Sequence, residues 1–174
     1  MDDIDESDNV SYNYLLNLPE LKHEISRNKT SHDILFANIR SLRKNFDELI
    51  EILEHLEHTF TFIVLNETWL ESNEHDMFKI DNYEIFSMPR NRHGGGLLIY
   101  YRSTVKATLI DSLSLISDSF ESIFISVKVN TNTFTLGSVY RPPSNNNISD
   151  FVSIFKQKIL LNLPDKDSII CGGF

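Results

Sequence analysis

Two short apolar runs flanking one amphipathic stretch constrain this chain more than anything else in it. The first, Asp33-Ile34-Leu35-Phe36-Ala37-Asn38, and the second, Thr61-Phe62-Ile63-Val64-Leu65-Asn66, have the length and β-branched content of buried strands. Between them, over 43–57, Phe46, Leu49, Ile50, Leu53 and Leu56 recur at helical spacing, with Lys44, Asp47, Glu48, Glu51 and Glu54 on the other face. Ser41 is the expected N-cap of that helix. Strand, helix, strand with short links is a crossover unit, which sets its two strands parallel and brings their carboxyl ends to one edge. Asn38 and Glu67 both stand at that edge, where open α/β sheets place their ligands. Glu67 supplies a hard oxygen of the kind Mg²⁺ prefers, and Asn38 an amide able to bind a phosphate oxygen or hold a carboxylate. A solvated loop start for Glu67 and a backbone-bonding turn for Asn38 stand beside those readings.

The rest of the chain adds antiparallel structure. Tyr83–Phe86 and Leu97–Tyr101 read as strands around the loop Ser87–Gly96. Its glycines, Gly94 to Gly96, precede a strand rather than a helix, so a bulge or close backbone packing fits them better than a phosphate cradle. Arg90, Arg92 and His93 make the most basic local patch, open to two readings: contacts to a phosphate backbone, or a solvated loop. Glu121–Val129 and Phe134–Tyr140, joined through Asn130-Thr131-Asn132, form a hairpin, so the sheet is mixed. Pro142 and Pro143 end its second strand, leaving Tyr140 and Arg141 at a strand end, as Glu67 is. A phenol and a guanidinium there suit a phosphoryl oxygen, and a half-buried core tyrosine beside a solvated arginine suits the same spacing. Ser149 is the expected N-cap of a helix to about Leu161, with Phe151, Val152, Phe155 and Ile159 as its apolar face. Ser168–Phe174 opens another buried strand. His55 and His58 read as a solvated helix end.

Composition excludes some classes. The net charge is −9, which argues against a broadly basic nucleic-acid binder, although a metal ion and a local basic patch offset such repulsion. Five acids within residues 1–10 carry more than half of that charge, and residues 1–30 read as a disordered acidic leader before a domain over 31–174. No apolar run approaches a membrane span. The single cysteine, Cys171, leaves no intramolecular disulfide to form.

The ordered set Asn38-Ile39-Arg40, Leu65-Asn66-Glu67-Thr68-Trp69, Arg92-His93-Gly94-Gly95-Gly96, Ser138-Val139-Tyr140-Arg141-Pro142-Pro143 and Ile169-Ile170-Cys171-Gly172-Gly173-Phe174 resembles the endonuclease/exonuclease/phosphatase family. More narrowly it resembles the apurinic-type endonuclease domain of LINE-like (jockey-like) non-LTR retrotransposon reverse-transcriptase polyproteins, over the N-terminal part of that domain. The resemblance implies a four-layer α/β sandwich with mixed sheets, here truncated. It implies Glu67 as the Mg²⁺ ligand, Asn38 beside metal and phosphate, and Tyr140 stabilising the pentavalent phosphorus, with DNA as the partner and metal-assisted phosphodiester hydrolysis as the reaction. Arg141, Arg90 and Arg92 become candidate phosphate or DNA contacts. The chain departs from the pattern at Gly173, where the family carries an aspartate that orients the attacking water, and the later Asp-His pair has no counterpart. The expectation is therefore an inactive fragment with weakened Mg²⁺ binding and an uncovered sheet face prone to self-association. An active nuclease or phosphatase completed by further sequence, and a non-enzymatic binding module, are the alternatives.

Overall fold

The computed structural model describes residues 17–27, 32–129, 132–143, 148–164 and 167–173. The crossover unit forms as its periodicity requires. Strand β1 (Ile34–Asn38), helix α2 (Leu42–Leu56) and strand β2 (Phe62–Asn66) follow one another, and β1 pairs parallel with β2 from Ile34 opposite Phe62 to Asn38 opposite Asn66. Strands β3 (Tyr83–Met88) and β4 (Leu97–Arg102) complete this sheet in the order β1-β2-β4-β3, both β2–β4 and β3–β4 being antiparallel. The second sheet runs β5 (Lys106–Leu109), β7 (Glu121–Val129), β8 (Asn132–Tyr140), β9 (Ser168–Gly173), with the two-residue β6 (Leu115–Ile116) also on β7. The β7–β8 hairpin is antiparallel and β8–β9 parallel, so both sheets are mixed.

Alternation along each strand sorts the side chains into layers. On β2, Ile63 and Leu65 turn toward α2, whose Leu42, Leu49 and Leu56 meet them, while Phe62 and Val64 turn the other way. Phe62 and Val64 pack between the sheets against Ile123, Ile125, Val127 and Leu136. A third cluster, with Phe120, Phe124, Val139, Phe151 and Ile159, lies between the second sheet and α3 (Ile148–Ile154). The fold is thus a four-layer α/β sandwich, helix, mixed sheet, mixed sheet, helix, as expected. Gly137 has a specific place in it: it pairs with Phe124, and a Cβ there would lie 2.1 Å from the Phe124 ring.

Several expectations need correction. Within the segment read as a disordered leader, α1 (Leu18–Arg27) is a helix whose Leu21 and Ile25 pack against the α2 core. Pro19 does not interrupt it, because it lies in the first turn, where no intrahelical N–H bond is lost. Asn17 and Glu20 close a reciprocal cap: Glu20 N–H donates to Asn17 Oδ1 (3.0 Å), and Asn17 N–H to Glu20 Oε2 (3.2 Å). Residues 1–16 lie outside the described set. Ser41 precedes α2, but its side chain makes no capping bond. Its own N–H donates to Glu67 O (2.8 Å), which holds it at φ 87. The last helix is shorter than its apolar spacing predicts: α3 gives way to a wider π-helical turn over Phe155–Leu160, and Ser149 lies inside α3 rather than before it.

His58 is not a solvated helix end. Its Nε2 pairs with Asp33 Oδ2, and Asp33 Oδ1 accepts from Thr61 N–H (2.7 Å) and Thr61 Oγ1 (3.0 Å). Burial pushes the Asp33 carboxyl up, but these bonds and the His58 charge hold it below its ordinary 3.8. A carboxylate depressed in the folded state stabilises above its unfolded pKa and loses that contribution as pH falls through its folded value. Asp33→Asn is expected to cost about 1.5–3 kcal/mol at neutral pH, as for other hydrogen bonds to a charged group. It is also expected to flatten the acid limb of the stability curve below Asp33's ordinary pKa. Urea denaturation across the acid range checks both, and an unchanged acid limb would show that the pair contributes nothing.

Candidate active site

The carboxyl ends of β1, β2 and β8 meet at one place. Ile39 N–H donates to Asn66 O (2.9 Å), Ser41 N–H to Glu67 O and Leu42 N–H to Thr68 O (2.9 Å), so the turn entering α2 is laced to the segment leaving β2. From the other side Thr68 and Trp69 donate to Gly96 O (3.1 Å) and Gly95 O (3.0 Å). Held between these, Glu67 and Trp69 both adopt left-handed backbone, φ 55 and 54. Such geometry costs a non-glycine residue of order 1 kcal/mol and persists only where neighbours over-determine it. Arg43, at the start of α2, adds a third restraint by donating to Trp69 O at 2.7 Å and pairing with Glu74.

This backbone presents Glu67 to two donors from different sheets. Asn38 Nδ2 and Tyr140 OH both donate to Glu67 Oε1, each at 2.7 Å. Two residues 29 and 73 positions from Glu67, singled out with it at three strand ends, therefore converge on one of its carboxylate oxygens. Burial, then the Glu67 hydrogen bond and charge, push the Tyr140 phenol well above its ordinary value, so it stays protonated and keeps its O–H as a donor. Beneath the triad, Ser138 Oγ donates to the buried Asn66 Oδ1 at 2.6 Å, a second tie between the sheets. The Asn66 Nδ2 opposite has no partner among the described residues. It lies 3.5 Å from the point where a Cβ on Gly173 would stand, and Gly173 is in register with Tyr140.

A cavity of about 320 Å³ opens beside the triad, lined by Glu67, Trp69, Arg90, His93, Gly95 and Tyr140 among others. Arg90 lines this cavity, but it is engaged: Nη1 donates to Glu121 Oε1 (2.8 Å) and Nη2 to Asp118 Oδ1 (3.2 Å). Arg92 is exposed, pairs with Glu71 at 2.8 Å, and does not line the cavity. Neither does Arg141, whose backbone N–H donates to Gly173 O.

Glu121 is the residue the sequence did not mark. It is fully buried at the start of β7, directly opposite Tyr140, and its Oε2 accepts Gly96 N–H at 2.7 Å. Burial pushes its carboxyl up, and the Gly96 and Arg90 bonds pull against that. A Cβ on Gly95 would fall 2.2 Å from Glu121 Oε1, so Gly95 and Gly96 supply the expected close backbone approach, to a carboxylate that sequence reading missed, whereas a Cβ on Gly94 would meet nothing within 4 Å. The available signal was an acid at the first position of a strand whose Ile123, Ile125, Val127 and Val129 alternate.

Among the described residues no three metal-binding side chains cluster. The donors present are one carboxylate and one amide, both hard-oxygen groups. That set fits a hydrated Mg²⁺, which keeps several waters and takes one or two protein carboxylates together with substrate phosphate. It does not make a closed protein cage.

No protein-family model matches the chain, and neither does any curated protein compared with it. Solved structures do. The catalytic domain of human Nocturnin, with bound sulfate, aligns over 80% of this chain and 62% of its own at 13% identity and a TM-score of 0.56. The endonuclease domain of TRAS1, a telomere-specific non-LTR retrotransposon, aligns over 81% and 57% at 12% identity, TM-score 0.55. D. rerio TDP2, complexed with a single-strand DNA product, aligns over 80% and 58% at 14% identity, TM-score 0.55. An endonuclease/exonuclease/phosphatase family protein from Bacteroides thetaiotaomicron aligns over 82% and 62% at 14% identity, TM-score 0.53. The chain thus spans less than two thirds of the length of these structures. At such identities the likeness speaks to architecture: this chain has the endonuclease/exonuclease/phosphatase fold.

Proposed function

We propose that the chain is part of a Mg²⁺-dependent DNA endonuclease domain of the non-LTR retrotransposon kind, hydrolysing phosphodiesters in its intact form and catalytically silent as it stands. The observation that carries the reading is the meeting of Asn38, Glu67 and Tyr140 at one carboxylate oxygen, at strand ends of a fold that nucleases and phosphatases share. Glu67 would hold the ion, and the Asn38 amide would orient that carboxylate and offer its own oxygen. A bound Mg²⁺ supplies charge neutralisation on a phosphoryl oxygen. Tyr140, kept protonated, donates to whichever oxygen replaces Glu67 as its acceptor. Among the described residues the site has no free carboxylate to align water: Glu121 is committed to Arg90 and Gly96, and Gly173 carries no side chain. The orphaned Asn66 amide beside Gly173 supports the view that this strand end suits an acceptor that is not there.

The test separates metal binding from turnover. Mg²⁺ is expected to raise the melting temperature of the wild-type chain and not that of Glu67→Gln. Supercoiled plasmid is expected to stay unnicked with either. Gly173→Asp is expected to tighten Mg²⁺ at least about tenfold, near 1.4 kcal/mol, read as a larger thermal shift at equal metal. Plasmid nicking by the wild type that disappears in Glu67→Ala overturns the silent state. A thermal response to Mg²⁺ identical in wild type and Glu67→Gln overturns the metal site.

A further inference from the structure

Most charges around the candidate site pair off. Arg43 pairs with Glu74, Arg90 with Glu121 and Asp118, and Arg92 with Glu71. Glu67 meets two neutral donors, the Asn38 amide and the Tyr140 phenol, and no cation among the described residues. Arg40 stands two residues beyond Asn38, and among the described residues its guanidinium makes neither an ion pair nor a hydrogen bond. Its backbone is fixed all the same. Ile39 N–H donates to Asn66 O and Ser41 N–H to Glu67 O, so both neighbours of Arg40 are tied to the segment that carries Glu67. The Asn45 amide closes the turn, donating to Ile39 O (2.7 Å) and Arg40 O (3.2 Å). Arg40, Ser41, Glu67 and Trp69 all hold left-handed backbone, φ 46, 87, 55 and 54. Non-glycine residues keep such geometry only where their surroundings over-determine it. Alternation sets the side of the sheet. Leu35, Ala37 and Ile39 turn toward the α2 core, which leaves Asn38 and Arg40 on the opposite side, both exposed. Lys44 is exposed as well, but Glu48 follows it at the spacing of a helical ion pair, so its charge has a counterpart on its own helix.

An unmatched carboxylate and an unmatched guanidinium therefore stand on two segments hydrogen-bonded to each other, without pairing together. Such a pair fits a ligand that carries both signs, and a divalent cation bound to a phosphate is one. On the reading that Glu67 holds Mg²⁺, we propose that Arg40 holds an oxygen of the substrate phosphate beside that ion. A guanidinium presents planar pairs of N–H donors that match phosphate oxygens. A contact of this kind fixes register on a nucleic-acid strand and reads no base. In a chain of net charge −9 it supplies the local positive charge that Arg90 and Arg92 do not, because acids already hold those two.

Fluorescence anisotropy with a labelled DNA duplex, in Mg²⁺ at about 20 mM salt, reads the contact. Arg40→Gln is expected to weaken binding at least about tenfold, the scale of a hydrogen bond to a charged group, and to reduce the slope of log affinity against log salt by about 0.9. Arg40→Lys is expected to restore the slope and only part of the affinity, because it keeps the charge and loses the fork. Lys106→Gln removes the same charge opposite Lys128, far along β7 from Glu121, and is expected to bind as wild type does. Arg40→Gln is also expected to keep the Mg²⁺ thermal shift that Glu67→Gln abolishes. A second arm replaces the duplex with inorganic phosphate, read by thermal shift in Mg²⁺. A loss in Arg40→Gln toward the duplex assigns the phosphate to a nucleic-acid strand, and a loss toward inorganic phosphate alone assigns it to a small phosphate ester. Both support the contact. A wild type that binds neither probe overturns it, as does an Arg40→Gln chain that binds both like wild type. So does loss of the Mg²⁺ shift in Arg40→Gln, since Arg40 would then act on Glu67 and not on phosphate. The metal reading fails by a different sign: Mg²⁺ shifts neither wild type nor variant, while Arg40-dependent duplex binding persists in EDTA.

Discussion

Glu121→Ala is expected to destabilise the chain by about 3–5 kcal/mol, the range for removing one partner of a buried ion pair. For a chain of this size that lowers the melting temperature by roughly 6–20 °C. The change leaves two groups without partners at once. Among the described residues the Arg90 guanidinium keeps the exposed Asp118, and the buried Gly96 N–H loses the Glu121 carboxylate as its acceptor. Glu121→Gln separates the two effects. Its amide oxygen still accepts one of these bonds, and its NH₂ faces a donor, so it is expected to recover part of the loss and not the whole. Because burial already disfavours the Glu121 charge, its raised folded pKa makes stability fall as pH rises from 4.5 through that value. In Glu121→Gln that descent is expected to disappear. Thermal unfolding of the three proteins across that window checks all of this. An Ala variant within 1 kcal/mol of wild type, by the same principle of unpaired buried charge, would mean that Arg90 relaxes into solvent instead.

Gly137→Ala is expected to cost about 3 kcal/mol, the upper part of the usual range for overpacking. The added methyl would stand 2.1 to 2.7 Å from three atoms of the Phe124 ring, which is fully buried between the second sheet and α3. Neither side has room to give: the glycine is central in β8, and the ring is enclosed by Phe120, Val139 and Phe151. The same methyl is expected to be far better tolerated when Phe124 is shortened to leucine, so the double variant should lie well above the sum of the singles. Chemical denaturation of the four-protein cycle measures that coupling, and additivity would show that the ring and the glycine do not share the space.

Both predictions concern residues that local pattern did not distinguish, and the reason is common to them. The helical spacing from Phe46 to Leu56 and the run Phe62–Leu65 announce α2 and β2 because neighbours in sequence are neighbours in space there. The β7–β8 hairpin was legible for the same reason. Strands β5 and β6, of four and two residues, are too short to carry a readable period. Helix α1 was obscured by Pro19, harmless only because the helix begins one residue earlier. Asp33 and His58, 25 positions apart, become partners through the crossover, which no spacing rule encodes.

By itself, the sequence determined the layers of this protein. Burial follows from the period of apolar residues, and period is a one-dimensional property. It also put Asn38, Glu67 and Tyr140 at strand ends. Only the tertiary structure decided that these three share one oxygen, that Arg90 is spent on Glu121 while Arg92 is spent on Glu71, and that Asn66 keeps a donor beside Gly173 with no partner among the described residues. Those are facts of distance across two sheets. A carboxylate's role depends on which charges and donors stand within a few ångströms, and that is settled when the sheets pack.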